Sequence, residues 1–404
     1  MPRTFWLKFS VFNFFLVALL GVIMRYKILY PLPFLDQKHL QEAHSHFAFY
    51  GWITNVIYVL LVNYLGKMNA EINLRKYEKL ILVNIAASFA MLGTFLYGGY
   101  FWASIAASTI ALLTSFVFCY FFFRDSVNIK DASKIWFRAG LFFAVISSLG
   151  VFNLSYMKSS GNLTQDLFLA SEYYYLHFQY NGFFIFSCIG LLLYSLKEAG
   201  SRISATANRL LFWLMFGGCL VGVGLSVLWL KMPVIIFAVI VLATLAQTYG
   251  AVLLYGFVKK SWTNLIISWS PMQRFVIIFV GLAFAAKILL QLGSNIPAVN
   301  QFAFGFRNVV IAYLHLVLLM CIATFLVNQI LATNYFTITK NLLLGLKLFL
   351  AGIFLNELML GLMGIFSIKY IAVPYANHLL LAFSLLIFLA LLIIFANMKP
   401  KKEI

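Results

Sequence analysis

Twelve apolar runs, each near the length that crosses a bilayer, decide what this chain can become. They lie at about 5–24, 43–65, 77–98, 100–123, 134–157, 168–196, 207–230, 232–258, 270–292, 303–328, 340–366 and 372–397. Hydrocarbon offers no water to a backbone N–H or C=O, so each run must satisfy its own polar groups as a helix. The first run has no small-residue cleavage site and ends in MRYKILY, so it reads as a membrane helix and not as a signal peptide. The expected fold is all-α: a polytopic membrane protein, with 1–404 forming a single domain of twelve transmembrane helices. Composition excludes the other classes. With 63% hydrophobic and 10% charged residues, the chain cannot hide its apolar surface as a soluble enzyme, a secreted domain or a coiled coil.

The formal charge is +18, from 29 basic and 11 acidic residues. In a soluble protein such an excess points to nucleic acid, but no soluble segment here could carry a basic groove. The loops explain it instead. Twenty-one basic residues, among them Lys399, Lys401 and Lys402, fall at the termini and in loops on the N-terminal side. Seven fall opposite: Arg25, Lys27, Lys38, Lys158, Lys231, Arg307 and Lys369. Lys287 lies inside a span. Basic residues collect on the cytoplasmic side, so both termini are expected there, in a protein of a bacterial inner membrane. The four cysteines, Cys119, Cys188, Cys219 and Cys321, sit in separate apolar runs without CxxC spacing. They read as buried small hydrophobes. No convincing internal repeat is visible.

Histidine placement is the main functional signal. His39 precedes span 2. His44 and His46 open span 2, His177 lies in span 6, His315 in span 10 and His378 in span 12. Even-numbered spans enter from the outer face, which puts all five span histidines in the outer half of a core about 30 Å thick. A single intramembrane histidine often only bonds a neighbouring helix. Five at one depth suggest a shared ligand or proton site, with imidazole as a metal or haem-iron ligand. His44 and His46 are two residues apart, about 200° around a helix, so they cannot chelate one metal together. Either they serve two sites, or one is a ligand and the other a hydrogen-bond partner.

The strings AHSHFAFYGW (43–52), YYLHFQYNGFF (174–184) and AYLHLVLL (312–319), with histidines on spans 2, 6 and 10, resemble subunit I of the haem-copper oxidase superfamily. That superfamily includes cbb-type oxidases and nitric oxide reductases. The NnrS-like family of twelve-span haem- and copper-containing proteins, linked to nitric oxide stress, is similar in size and histidine count. The resemblance implies b-type haem held by His44 or His46 with His315, between spans 2 and 10. His177 and His378 would line a second metal position, with the remaining span-2 histidine. It further implies an electron-donor protein or a quinol as partner, and electron transfer or oxygen and nitric oxide chemistry. The chain departs from the family at copper: span 7 has no histidine, and span 10 has one where the family has two.

Other polar groups fall at matching depth. Glu357 on span 11 is either a proton relay or a hydrogen-bonded acid beside Asn356. Lys287 on span 9 and Arg307 at the start of span 10 either pair with haem propionates or snorkel to head groups. The rival reading is a proton-coupled transporter in which the histidines and Glu357 form the relay. All eight prolines lie at span edges or in loops, which favours unbroken helices over the interrupted helices of transporters.

The 21-to-7 charge asymmetry predicts that cysteines introduced into 67–79, 124–134 and 197–209 will be labelled only from the cytoplasmic side; labelling of any of them from outside would invert the assigned histidine depth.

Overall fold

A computed structural model describes residues 3–161, 164–230 and 232–401. Lys231 and Lys402 of the charge count lie outside the described residues. Twelve helices are long and apolar enough to cross a membrane: Arg3–Leu29, Gln37–Met68, Arg75–Gly98, Trp102–Asp125, Lys134–Ser160, Gln165–Glu198, Ala205–Val227, Val234–Lys260, Pro271–Gly293, Arg307–Ala332, Lys340–Ile368 and Ala376–Asn397. They are spans 1 to 12 below. All twelve expected runs are found, so the chain is an all-α polytopic membrane protein. Span 2 begins six residues before the run that marked it, because Asp36 caps it. The Asp36 carboxylate accepts from the N–H groups of Lys38 at 2.8 Å and His39 at 2.9 Å. The His39 N–H contributes most to holding its pKa below the ordinary range. His39, expected in the outer loop, therefore stands in the first turn of the helix.

The described residues fall into two compact units, one from Met1–Asp125 with Leu326–Ile404, the other Ser126–Phe325. In the first unit, span 1 packs against spans 2 and 12, and span 12 against span 11. Phe14 stacks on Trp52 with centroids 4.3 Å apart and meets Phe349 of span 11 edge-on at 5.7 Å. A two-residue strand, Phe336–Thr337, pairs antiparallel with Lys399–Pro400 at one end of this unit. In the second unit, span 5 packs along span 6, span 7 along span 8, and span 9 against both span 8 and span 10. Spans 2 and 6 are the most enclosed helices. Their apolar windows are 89% and 83% buried, against 22–56% for the other ten.

Three spans contain the same interruption. Span 2 changes from α- to π-helix at Phe47–Thr54, span 6 at Phe178–Phe184 and span 10 at Leu316–Ala323. Each π segment begins on the residue after a histidine: His46, His177 and His315. These histidines are the tenth, thirteenth and ninth residues of their helices. A repeat every fourth span is thus present, although the sequence conceals it. Around the junction spans 2 and 6 share His-Phe-x-x-x-Gly, at His46–Gly51 and His177–Gly182, and in span 10 the glycine position is Met320. The equivalence is one of backbone geometry, which side-chain similarity does not report.

Neighbouring side chains answer the widened backbone. Asn13 of span 1 donates to the Gly51 carbonyl at 2.7 Å, and Asn84 of span 3 to the Tyr50 carbonyl at 3.0 Å. In span 10 the Thr324 hydroxyl donates to the Leu319 carbonyl five residues back, at 3.0 Å. Such partners are how irregular helix is tolerated away from water. Spans 5 and 6 approach closely at Gly182, where an added Cβ would fall on the Cβ of Phe143 and 2.6 Å from its Cγ.

Gly182→Ala is expected to destabilise the protein by about 1–3 kcal/mol through overpacking. Gly217→Ala, on a helical position with open space around the new methyl, should be neutral or stabilising by up to about 1 kcal/mol. Thermal unfolding in detergent measures both; equal effects would mean that spans 5 and 6 do not meet at Gly182.

Candidate functional site

His44 and His46 face opposite ways, as their spacing requires. The His44 Nδ1 lies 3.1 Å from the Val17 carbonyl of span 1. His46 lies on the other side of span 2. Its Nδ1 is 2.9 Å from the Glu42 carbonyl one turn back, its Nε2 is 3.1 Å from the Tyr100 hydroxyl, and its ring stacks on Phe95 at 4.2 Å. A carbonyl can only accept, so Nδ1 carries the proton and Nε2 accepts from Tyr100. His315 repeats the first half of this arrangement: its Nδ1 lies 2.9 Å from the carbonyl of Ile311, again four residues back. His46 and His315 are thus oriented alike at the same α-to-π junction.

His177 occupies the equivalent junction in span 6 but takes the opposite tautomer. It is 2% exposed. Its Nε2 donates to the Cys219 carbonyl at 2.9 Å, and its Nδ1 accepts from the Asn181 amide at 3.2 Å. The cause lies in span 7, which tightens to a 3₁₀ turn at Val223–Val227. The Val223 N–H turns to the Val221 carbonyl instead of closing the α-helical bond to Cys219. The Cys219 carbonyl accepts the imidazole proton in its place. Both ring nitrogens of His177 are therefore engaged by protein groups. His378, the other residue expected at a second metal position, is exposed on span 12, with the Tyr375 ring 6.1 Å away. Among the described residues, no group of three or more His, Cys, Asp or Glu side chains is placed to hold a metal ion.

Glu357 is buried in the first unit and accepts from the Asn356 amide at 3.1 Å. Arg25 of span 1 is near enough for the two charges to act on each other. The sequence reading placed Arg25 only among loop charges, because it ends an apolar run. Lys287 departs from the snorkelling alternative: it is 1% exposed, and its Nζ is buried with no hydrogen-bond partner. Arg307 is exposed at the start of span 10, in keeping with a side chain that reaches outward. Sequence reasoning missed Tyr100 and Asn181. Asn181 carried a signal, since a residue four positions after a histidine shares its helix face; Tyr100 carried none, because it belongs to the turn between spans 3 and 4. Of the cysteines, Cys219 and Cys321 are buried, Cys119 and Cys188 are half-buried, and all four are free thiols.

No family model and no curated protein matches this chain.

His177→Ala should strand the Cys219 carbonyl and the Asn181 amide and lower stability by about 1–3 kcal/mol. His378→Ala should stay within about 0.5 kcal/mol of the parent, as an exposed substitution. Detergent melting curves of the two variants compare them directly, and equal losses would contradict the burial assigned to His177.

Proposed function

We propose that this is a haem-binding protein of a bacterial cytoplasmic membrane that uses b-type haem for electron transfer or for small-gas chemistry with oxygen or nitric oxide. One observation carries the reading. His46 in the first unit and His315 in the second stand at matching α-to-π junctions, each with Nδ1 held by the carbonyl one turn back. A ligand histidine characteristically donates Nδ1–H to a carbonyl or carboxylate, which fixes the tautomer and puts the lone pair on Nε2; at His46 that lone pair accepts from the Tyr100 hydroxyl, which iron would displace. His44, with Nδ1 at the Val17 carbonyl, meets the same requirement. Bound haem would supply a one-electron couple or an open iron position; the protein's part is to orient these imidazoles in a dry, apolar surround. Reducing equivalents would come from a donor protein or a quinol. Copper has no complete ligand set in this reading, because His177 is engaged at both nitrogens and His378 is exposed.

The buried Glu357, within electrostatic reach of Arg25, favours a second reading, a proton-coupled transporter. One spectrum separates the two. Purified protein expressed with haem supplied should show a Soret band and the reduced α-band of b-type haem; a colourless preparation would favour transport. His315→Ala should abolish the low-spin signal, since span 10 has no other histidine, whereas His39→Ala should leave it unchanged. Of His44→Ala and His46→Ala, one should mimic His315→Ala and the other should spare the low-spin haem. Equal partial losses in those two would contradict their opposite facing.

A further inference from the structure

The second unit buries a lysine that nothing among the described residues answers. Lys287 Nζ is enclosed without a hydrogen-bond partner. The thiols of Cys219 and Cys321 lie within electrostatic reach of it but are neutral, and it is close enough to His177 to act on that ring. The Phe284 ring centroid lies 5.8 Å away. From Ala199 to Asn356 the chain contains no Asp or Glu, so spans 7 to 10 supply no carboxylate at all. The four acids of this unit, Asp131, Asp166, Glu172 and Glu198, stand near the ends of spans 5 and 6. A lone ammonium in such a place is strongly disfavoured, and a neutral amine would still lack an acceptor for its protons.

Two more orphans follow it along the chain. Gln291 Oε1, one helical turn beyond Lys287, and Asn295 Oδ1, in the turn just past the end of span 9, are buried without partners. Buried polar groups are nearly always bonded to protein, water or a ligand, so three orphans in succession mark a site that something else completes. The chain runs on toward the outer end of the unit, where a cavity of about 560 Å³ is lined by Asp166, Tyr173, Trp229, Pro297 and Asn300.

We propose that Lys287 and Gln291 form a binding site for a small monovalent oxyanion within the second unit. The anion's oxygens accept from Lys287 Nζ and neutralise it. Gln291 Oε1, which can only accept, accepts a hydrogen bond from an accompanying water or from the ligand's own O–H. Asn295 stands two residues before Pro297 of that cavity's lining. Bound anion would remove the isolated-charge penalty, so binding and stability are linked. The site does not depend on haem.

Nitrate is the probe, with gluconate at equal ionic strength as the bulky control. Saturating nitrate should raise the apparent melting temperature of the full chain in detergent by roughly 2–4 °C and leave any Soret band unmoved. Lys287→Met should abolish the nitrate response and should melt higher than the parent in gluconate, having lost an unpaired buried charge. Gln291→Leu should fold and bind nitrate at least threefold more weakly; it decides the matter if Lys287→Met does not fold. No nitrate effect on the parent, an undiminished effect in either variant, or an effect that moves the Soret band and so places the anion on iron would each overturn the proposal.

Discussion

The bilayer interior has no water, and so every polar group a span carries must find its partner inside the protein. The most enclosed helices display this rule most clearly. Spans 2 and 6 are the most buried, and both contain a π segment. Carbonyls of span 2 are met by asparagine amides from adjacent spans, and a carbonyl left over by the 3₁₀ end of span 7 is met by an imidazole of span 6. Asparagine, serine and histidine in these helices are therefore not decoration on an apolar scaffold. They are the groups that allow the scaffold to depart from regular helix where it does.

The same rule sorts the histidines. A ring whose two nitrogens both meet protein groups is satisfied where it stands, as His177 is by Cys219 and Asn181. His46 is also engaged at both nitrogens, but its Nδ1 is held by its own helix and its Nε2 accepts only from the rotatable Tyr100 hydroxyl; His315 shares the Nδ1 attachment. The π segment that follows each of them widens the helix by one residue in the turn, so the side chains on either side no longer keep α-helical register. Placing this change immediately after the histidine separates the ring from the packing below it. The result is three equivalent positions with different chemistry, set by what the neighbouring spans present: Tyr100 at His46, and the Cys219 carbonyl at His177.

Two groups stand apart because the rule is met differently for each. Glu357 has an amide partner in Asn356 and an opposite charge within reach in Arg25, all within the first unit. Lys287 has neither, although it is more completely buried. A carboxylic acid can lose its charge by taking a proton and still form hydrogen bonds both ways. An amine stripped of its charge keeps protons to donate, so the asymmetry between the two sites follows from the chemistry of the groups.

Span number, helical class and the placing of each histidine along its span were legible in the sequence, because each depends only on the length of apolar runs and the position of residues along them. Opposite facing of His44 and His46 was legible for the same reason: helical periodicity is a local property. Span edges were less so, since the Asp36 cap extends span 2 into a stretch too polar to read as membrane helix. The four-span repeat was hidden, because a π turn is chosen by packing and by partners on other spans, and His-Phe-x-x-x-Gly survives in only two of the three copies. Which nitrogen of His177 carries the proton, and whether Lys287 reaches the surface or is enclosed, could not be read from one chain position at all. Both depend on which atoms of distant spans arrive at that side chain, and only tertiary packing decides that.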